Sequence, residues 1–574
     1  MLFKSLALLS KKRKIEISLV ITFVLINSFL EMLSIGLLLP LINYLINPVG
    51  TIESSFFFTN VIEIFFDPKN SSESFNIFLI IFLFIFVFKN LSIFLTTVYI
   101  SYFYLKVERG IGVLLLSEYL NSSMQFLSSK STSELIRNTH LQAGTFAKRY
   151  VYELIYIFSE TVVFIFLSCL LLYNFFIETV FLLVFLFIVF GLYILLFRNK
   201  IYSLSKISQK LIKDRYKSIQ ENFSSIIELK IYSLQEKLSK IFYKLIRSSN
   251  QIDIRLTMLG IAPRFILEIL IILILSSVLY YNFTMTGNIN EVLVPIAVFS
   301  AVLFRLSPSI NKLVRSIQIV RSAQPIVNNI LSEIEKMKKI NFSKPLNDKV
   351  KLNLKESLEL KNVAFSYDDT KHVLKNINFK INKGDKIGLT GKSGQGKTTL
   401  IEIMIGLHQL KEGKVLVDNV DIFQNCSSWM ENIGFIPQKV ILLDDTIANN
   451  IVFMDDNKNF NKRFIIEIMR IVDLDEELIE NAFTKNVGEG GMNISGGQRQ
   501  KIAIARALYK KKKFLILDEA TKGLDKVSEI KVINNLVNFD KNLTILLISH
   551  DNEVLSMLNK TYKLEDNSLK EEKN

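Results

Sequence analysis

Cysteine is nearly missing: Cys169 inside an apolar run and Cys426 in a mixed stretch are the two thiols in a chain of 574 residues. They offer no disulfide framework and no metal-ligand spacing, which excludes a disulfide-stapled secreted scaffold and a cysteine-built zinc module. A reducing, cytosolic setting is expected for the soluble part. No internal repeat and no low-complexity tract is present, so solenoids and biased linkers are set aside. A single basic stripe is missing as well. The formal charge is +15, but Lys and Arg are scattered over short loops, segment ends and the C-terminal part, so no nucleic-acid partner is expected.

What the chain has in excess is apolar length. Half of its residues are hydrophobic, 45 of them Phe, and they crowd into the first 320 positions, whereas the remainder has the composition of an ordinary soluble α/β protein. The length exceeds one hydrophobic core, so at least two domains are expected. Six apolar segments, near 15–46, 76–105, 146–176, 178–198, 258–283 and 291–322, are long enough to cross a bilayer. Thr179 to Phe197 contains no charge at all. The basic tetrad Lys11, Lys12, Arg13 and Lys14 precedes a run too long for a signal peptide, with no small-residue cleavage site, and is read as the start of a retained first membrane helix.

Basic residues set the expected orientation. They enrich the N-terminal tetrad, the stretch from Lys106 to Arg149 and that from Arg198 to Arg255, while the intervening loops carry Glu53, Glu63, Asp67, Glu73, Glu178 and Glu291 against Lys69 alone. Both termini are therefore expected on the cytoplasmic side. Ile201, Leu204, Ile207 and Leu211 keep a helical period inside a polar stretch, so the membrane helices are expected to continue into the cytosol, turn there and touch the soluble domain. Ser55 to Phe66 reads either as an amphipathic helix lying on the outer membrane surface or as an apolar loop packed on the outer helix ends. The expected domains are 1–325 in the membrane, a linker over 326–345, and 346–574 in water.

The soluble part opens its chemistry at Gly391-Lys392-Ser393-Gly394-Gln395-Gly396-Lys397-Thr398, after the strand-like Lys386 to Thr390 and before an apolar helix pattern from Leu400. This is a phosphate-binding loop in its strand-loop-helix setting. Glycines let backbone N–H groups close around phosphates, and the following helix, with Thr399 in its first turn, offers its positive end. Lys397 is expected to reach the β- and γ-phosphates of ATP, and Thr398 to hold Mg2+. Further on, Phe514 to Leu517 form an apolar run that ends in Asp518 and Glu519. The first carboxylate is placed for the Mg2+ shell and the second for polarising the attacking water.

At this point the chain resembles the ATPases of ABC transporters, over roughly residues 350 to 565. Asn493-Ile494-Ser495-Gly496-Gly497-Gln498 is similar to their signature motif, with Ile494 where Leu is usual. The resemblance implies that this element closes on the γ-phosphate of a partner subunit's nucleotide, so that each ATP lies between two chains. It also implies that Tyr367 stacks on adenine, that Gln438 touches Mg2+ and the membrane-domain contact, that Asp525 is the D-loop aspartate, and that His550 contacts the γ-phosphate. Lys522-Gly523 and Asp551 depart from the usual Ser-Ala and Arg. With Lys397, Glu519 and His550 all present, a homodimer with two hydrolytic sites is the expected assembly. The implied fold class is an all-α membrane domain of six transmembrane helices, ABC exporter type I, fused to an α/β P-loop ABC ATPase domain. The implied location is the bacterial cytoplasmic (inner) membrane.

Charges within membrane segments are functional candidates. Glu31, Lys89, Glu160, Arg264, Glu268 and Arg305 lie in or near the apolar runs, and Arg264 and Glu268 are spaced to pair on one helix face. Lys89 and Arg305, if they face a central cavity, favour an anionic head group such as a pyrophosphate. The membrane half resembles lipid-linked oligosaccharide flippases of the PglK type through Ser28 to Met32 with Pro40, Ser159-Glu160, Pro263-Arg264 with Leu267-Glu268, and Arg305-Leu306 with Pro308-Ser309 and Asn311. Lys89 stands where Arg is expected there. The resemblance implies membrane lipid as the surroundings and a lipid-linked saccharide as substrate, its lipid tail met by the segment from Ser55 to Phe66 and its pyrophosphate by Lys89 and Arg305, with Arg264 a further candidate contact. Export of a peptide, a drug or a lipid A-like molecule is the rival within the class, and a non-transporting ATPase or channel regulator the rival outside it.

Overall fold

The computed structural model describes residues 11–37, 71–174, 176–286, 289–340, 351–367, 372–454 and 460–572. The segment Ser55 to Phe66, Pro40 and most residues of the first outer loop lie outside the described residues. Two compact units are present: Met1–Leu120 with Lys130–Lys339, and Asn121–Ser129 with Ile340–Asn574.

The first unit is built of helices among its described residues. Its long helices are α1 (Lys11–Gly36), α2 (Ser71–Leu120), α3 (Glu153–Asn174), α4 (Phe176–Ser224), α5 (Gln235–Thr286) and α6 (Ile289–Ile340). Before α3 the chain is already helical from Thr132, through π-helical turns at Arg137–Gln142 and Phe146–Tyr152. By length and composition, Lys12–Gly36, Phe75–Leu120, Thr132–Tyr173 and Thr179–Ser224 qualify as membrane spans among the described residues. Helices α5 and α6 coincide with the fifth and sixth apolar segments of the sequence. At about 1.5 Å per residue, the 50 residues of α2 span about 75 Å, against about 30 Å of hydrocarbon. A helix of that length exceeds a bilayer's hydrocarbon by more than twofold, whereas α1 and α3, at 26 and 22 residues, are close to its thickness. Residues 326–340, inside the stretch read as a linker, are the last turns of α6.

Outward-facing apolar side chains remain uncovered, Phe84 at 69% and Phe187 at 81% exposure. Such a surface suits lipid, where water exerts no penalty on it. Between helices the contacts are polar at a few points. Asn27 Nδ2 donates to Thr96 Oγ1 at 2.7 Å, Ser316 Oγ to Glu153 Oε2 at 2.6 Å, and Lys312 pairs with Glu160 at 3.1 Å. In hydrocarbon such bonds help to fix which helix faces meet.

The second unit is an α/β domain with two sheets. A four-stranded sheet runs β2 (Leu374–Asn382), β1 (Ser357–Phe365), β4 (Glu412–Val417), β5 (Val420–Asp421). A six-stranded sheet runs β10 (Ser568–Glu572), β9 (Lys560–Glu565), β3 (Lys386–Thr390), β8 (Thr544–Ile548), β7 (Phe514–Asp518), β6 (Ile433–Ile436), parallel except for β10. Strands β7 and β8 are buried along their whole length, as expected of central parallel strands covered on both faces. That is why Phe514-Leu515-Ile516-Leu517 and Ile545-Leu546-Leu547-Ile548 are continuous apolar runs rather than alternating ones. One core packs Trp429, Phe514 and Ile516 with the β1–β2–β4 residues, and a second lies over the other face around Leu515, Leu517 and Ile504. Cys426 is largely buried, its thiol pushed up to about 11 by desolvation, which leaves it protonated and unreactive.

Candidate nucleotide and substrate sites

The order β3–β8–β7 places three carboxyl-terminal strand ends side by side: Thr390 leading into the phosphate loop, Ile548 leading to His550, and Asp518 leading to Glu519. Open parallel sheets bind ligands at such ends. The loop from Gly391 to Gly396 then turns into α7 (Lys397–Ile405). Gly391 has φ +144, and a Cβ there would stand 2.5 Å from the Leu564 carbonyl oxygen, so only glycine lets the loop pass strand β9. Gly396 has φ +96 and a Cβ would meet Val373 at 2.9 Å. Gly394, at φ +81, faces open space. Ser393 lies between them on the exposed side of the loop.

Lys397 is buried, and its Nζ donates to the carbonyls of Gly391 at 2.5 Å and Lys392 at 3.2 Å. Desolvation lowers its pKa, against the pull of the Glu519 and Asp518 charges. An ammonium with three donors, held in its own loop and poorly hydrated, gains by exchanging those carbonyls for phosphate oxygens. Thr398 Oγ1 donates to Asp518 Oδ2 at 3.1 Å. Burial raises the Asp518 carboxyl above the ordinary aspartate range, the neighbouring Glu519 charge adds to this, and the Thr398 hydroxyl and Lys397 oppose it. Gln438 Nε2 donates to Glu519 Oε2 at 2.7 Å, which turns the Gln438 carbonyl oxygen to the other side, free to ligate. Glu519 itself has φ +49, a conformation non-glycine residues hold at a cost. His550 Nε2 is 3.7 Å from Glu519 Oε1 and Lys522 Nζ is 3.3 Å from Oε2.

These donors fit Mg2+ and a triphosphate. Thr398, Asp518 and Gln438 are hard oxygen ligands, and no cluster of three His, Cys, Asp or Glu residues that could hold a metal occurs among the described residues. Mg2+ keeps few protein ligands and completes its octahedron with phosphate oxygens and water. When bound it would neutralise charge on the β- and γ-phosphates. Glu519 and His550 stand beside that place, where a carboxylate could accept a proton from water and an imidazole could contact a terminal phosphate.

The signature residues lie on the neighbouring element. Ser495 caps α8 (Gly496–Tyr509): its Oγ accepts from Gln498 N at 3.2 Å, while Gln498 Oε1 accepts from Ser495 N at 2.9 Å. This reciprocal cap uses the Ser495 oxygen as acceptor and leaves its O–H as a donor for an anion at the helix start, beside Gly496. Gln498 also reaches Asp475 at 2.5 Å. Gly497 passes so close to the Gly523 carbonyl that a Cβ would meet it at 2.9 Å, and Gln500 Oε1 accepts from Gly523 N at 3.1 Å. The signature helix is thus tied to the turn that follows Glu519. Asp525 caps the next helix by accepting from Ser528 N, and this backbone donor holds its carboxyl below the ordinary range.

Tyr367 is half-exposed, with its hydroxyl 3.0 Å from Thr399 Oγ1. Residues not foreseen from the sequence surround it. Glu402 Oε2 lies 3.4 Å from the Tyr367 hydroxyl and 2.9 Å from His408 Nε2, and Gln125 Nε2 donates to the Tyr367 carbonyl at 3.2 Å. The spacing of Thr399 and Glu402, three apart on one helix, was the available signal.

In the helical unit, Pro263, Arg264, Lys312, Arg315 and Arg149 line a cavity of about 850 Å³ together with Asn311 and several hydroxyl side chains. Four basic residues, Arg149, Arg264, Lys312 and Arg315, face two acidic ones, Asp253 and Glu268. Arg264 and Glu268 form the pair their spacing allowed, at 2.9 Å. Lys89 and Arg305 are not among the lining residues. Lys89 is buried with its Nζ 3.2 Å from Ser34 Oγ, and Arg305 pairs with Glu31 at 2.5 Å and donates to Ser309. Partners inside the helix bundle hold both cations, which hydropathy cannot reveal.

The class of fold follows from a solved structure. The chain superposes on a bacterial Atm1-family ABC exporter with ATP bound at a TM-score of 0.79, covering 97% of this chain and 94% of that one at 16% identity. The fold is accordingly that of ABC exporters, a unit of long helices followed along the chain by an α/β unit. Within the α/β unit, residues 374–522 match the ABC transporter family model. A putative export ATP-binding/permease protein of Rickettsia prowazekii is 38% identical over 198 residues, 34% of each chain. An ATP-dependent lipid A-core flippase of Syntrophus aciditrophicus is 38% identical over 200 residues, 34% of this chain and 33% of that one. The multidrug resistance-like ATP-binding protein MdlA of Buchnera aphidicola is 30% identical over 366 residues, 62% and 61% of the two chains. The first of these matches spans about a third of the relative's length.

Proposed function

We propose that two copies of this chain form an ATP-driven exporter or flippase that moves an amphipathic, anionic substrate from the inner to the outer leaflet of a bacterial inner membrane, with both termini in the cytoplasm. The observation that carries this reading is the convergence of Lys397, Thr398, Asp518, Glu519, Gln438 and His550 at three adjacent strand ends, in a chain that also holds a set of membrane-length helices. Each site is completed by Ser495 and its glycines from the second copy, so that ATP closes the pair and hydrolysis by Glu519 reopens it.

The cationic lining of the helical cavity supports an anionic head group, since hydrogen bonds to charged groups contribute about 1.5–3 kcal/mol each. The substrate class that best unites this with the sequence is a polyprenyl-pyrophosphate-linked saccharide. Arg315, which lines the cavity and forms no ion pair among the described residues, is the first head-group contact in this reading, whereas Arg305 contributes after its pair with Glu31 opens. The lipid A-core flippase among the relatives concerns another anionic lipid and fits the same class.

The test is leaflet movement in proteoliposomes with ATP, comparing a pyrophosphate-linked saccharide lipid, lipid A, a cationic amphiphile and a neutral lipid. Movement of the pyrophosphate lipid, reduced at least tenfold per ATP hydrolysed in Arg315→Ala, is expected. Preference for lipid A would move the assignment within anionic lipids. Equal movement of the cationic amphiphile, insensitive to Arg315→Ala, would overturn it.

A further inference from the structure

We infer that His408 and Glu402 form the seat that orients Tyr367 for the nucleotide base, and so set how strongly this protein holds ATP relative to a bare polyphosphate. The inference rests on the reading of Tyr367 as the base-stacking residue and goes beyond it. His408 is 6% exposed, more buried than is usual for histidine. Its Nε2 lies 2.9 Å from Glu402 Oε2, and because a carboxylate is acceptor-only, Nε2 carries the proton. The same Glu402 oxygen is 3.4 Å from the Tyr367 hydroxyl, whose other partner is Thr399 at 3.0 Å.

Ring contacts complete the seat. The His408 and Tyr367 rings meet edge-on at 5.5 Å and 90°, Phe365 meets Tyr367 at 5.1 Å and 85°, and Phe365 lies 5.1 Å from His408. Tyr367 is therefore held at its hydroxyl by two groups of α7 and flanked by two rings set nearly perpendicular to it, yet it remains 46% exposed. A ring fixed in place with nearly half of its surface left open is what stacking on a planar base requires. Thr399 and Glu402 belong to the helix that carries Lys397 and Thr398, so one rigid element registers the base platform against the phosphate loop. The device is a relay of hydrogen bonds from a buried imidazole.

Losing such preorganisation means freezing the Tyr367 side chain at each binding event, which weakens affinity roughly two- to tenfold. The full-length protein in nanodiscs serves for the test, with KM and kcat for ATP and the inhibition constant of inorganic tripolyphosphate, which has phosphates and no base. His408→Leu is expected to raise KM for ATP about two- to tenfold, to leave kcat within about twofold, and to leave tripolyphosphate inhibition unchanged. Its effect should vanish in a Tyr367→Ala background. Glu402→Leu should copy it, and Glu402→Gln, which keeps an oxygen for His408, should recover most of the affinity.

A tripolyphosphate constant that worsens in step with KM would overturn the inference, because the defect would then lie in the phosphate loop. So would a His408→Leu effect that persists without Tyr367. If Tyr367→Ala alone leaves KM unaltered, the stacking assignment falls and the inference with it; if Tyr367→Ala raises KM and His408→Leu does not, only the inference falls. Should His408→Leu fail to assemble, His408→Gln keeps a donor for Glu402 but loses the ring, and its KM must then fall between the wild type and Tyr367→Ala.

Discussion

Replacing Glu519 by Gln isolates the hydrolytic step from everything else the site does. The side chain keeps its shape and its φ of +49, so the strain at this residue is common to both forms. Gln438 at 2.7 Å and Lys522 at 3.3 Å both address Oε2, and the oxygen of the substituted amide can occupy that position. The amide nitrogen then faces His550, which lies 3.7 Å from Oε1 of the native carboxylate. Lys522 and His550 are 71% and 55% exposed, so water replaces what they lose, and the change in nucleotide affinity should stay below about 1 kcal/mol, roughly fivefold. What disappears is the base. A positioned base contributes about 10²- to 10⁴-fold, or roughly 3–5 kcal/mol of barrier. Phosphate release should therefore fall at least about a hundredfold while a fluorescent ATP analogue binds nearly as before. With Mg-ATP the variant should accumulate as a dimer by light scattering. Phosphate release within about tenfold of the wild type would refute the assignment of Glu519, and a loss of nucleotide binding of about a hundredfold would show that the residue holds the site together instead.

Two further substitutions test the geometry. Gly391→Ala forces a Cβ to within 2.5 Å of a strand carbonyl in addition to its positive φ, whereas Gly394→Ala meets open space and bears only the left-handed cost of about 1–2 kcal/mol. Thermal unfolding without nucleotide should place Gly391→Ala well below Gly394→Ala, and the reverse order would count against this loop geometry. Asp518→Asn removes a carboxyl whose folded pKa is raised by burial. A raised aspartate stabilises the fold below its unfolded pKa, and that contribution is lost as pH rises through the folded pKa. In the absence of Mg2+ and nucleotide, Asp518→Asn should thus unfold at a higher temperature than the wild type at neutral pH, with the difference closing in acid; a difference that widens in acid would contradict the sign.

The phosphate loop, the acid pair and the signature turn were legible because each is contiguous: one loop conformation or one helix start dictates its residues locally. Long apolar runs likewise announced lipid-facing helices, and the periodic polar stretch at Ile201 and Leu204 announced their extension, with both residues buried. Hydropathy could not say which intramembrane charges are already satisfied. Lys89 and Arg305 read alike in sequence to Arg264, yet the first two are held by Ser34 and Glu31 and only the third lines the cavity.

Local chemistry thus determined the parts: a half built of long apolar helices, an α/β half with a phosphate-loop sequence, and the residues proposed to contact phosphate. Tertiary structure decided the assembly, because the order β3–β8–β7 brings together strand ends far apart along the chain, and because Glu402 and His408 acquire meaning only when helix and strand set them against Tyr367. Spacing along the chain encodes neighbours on one helix face; it carries no record of which element packs across from it.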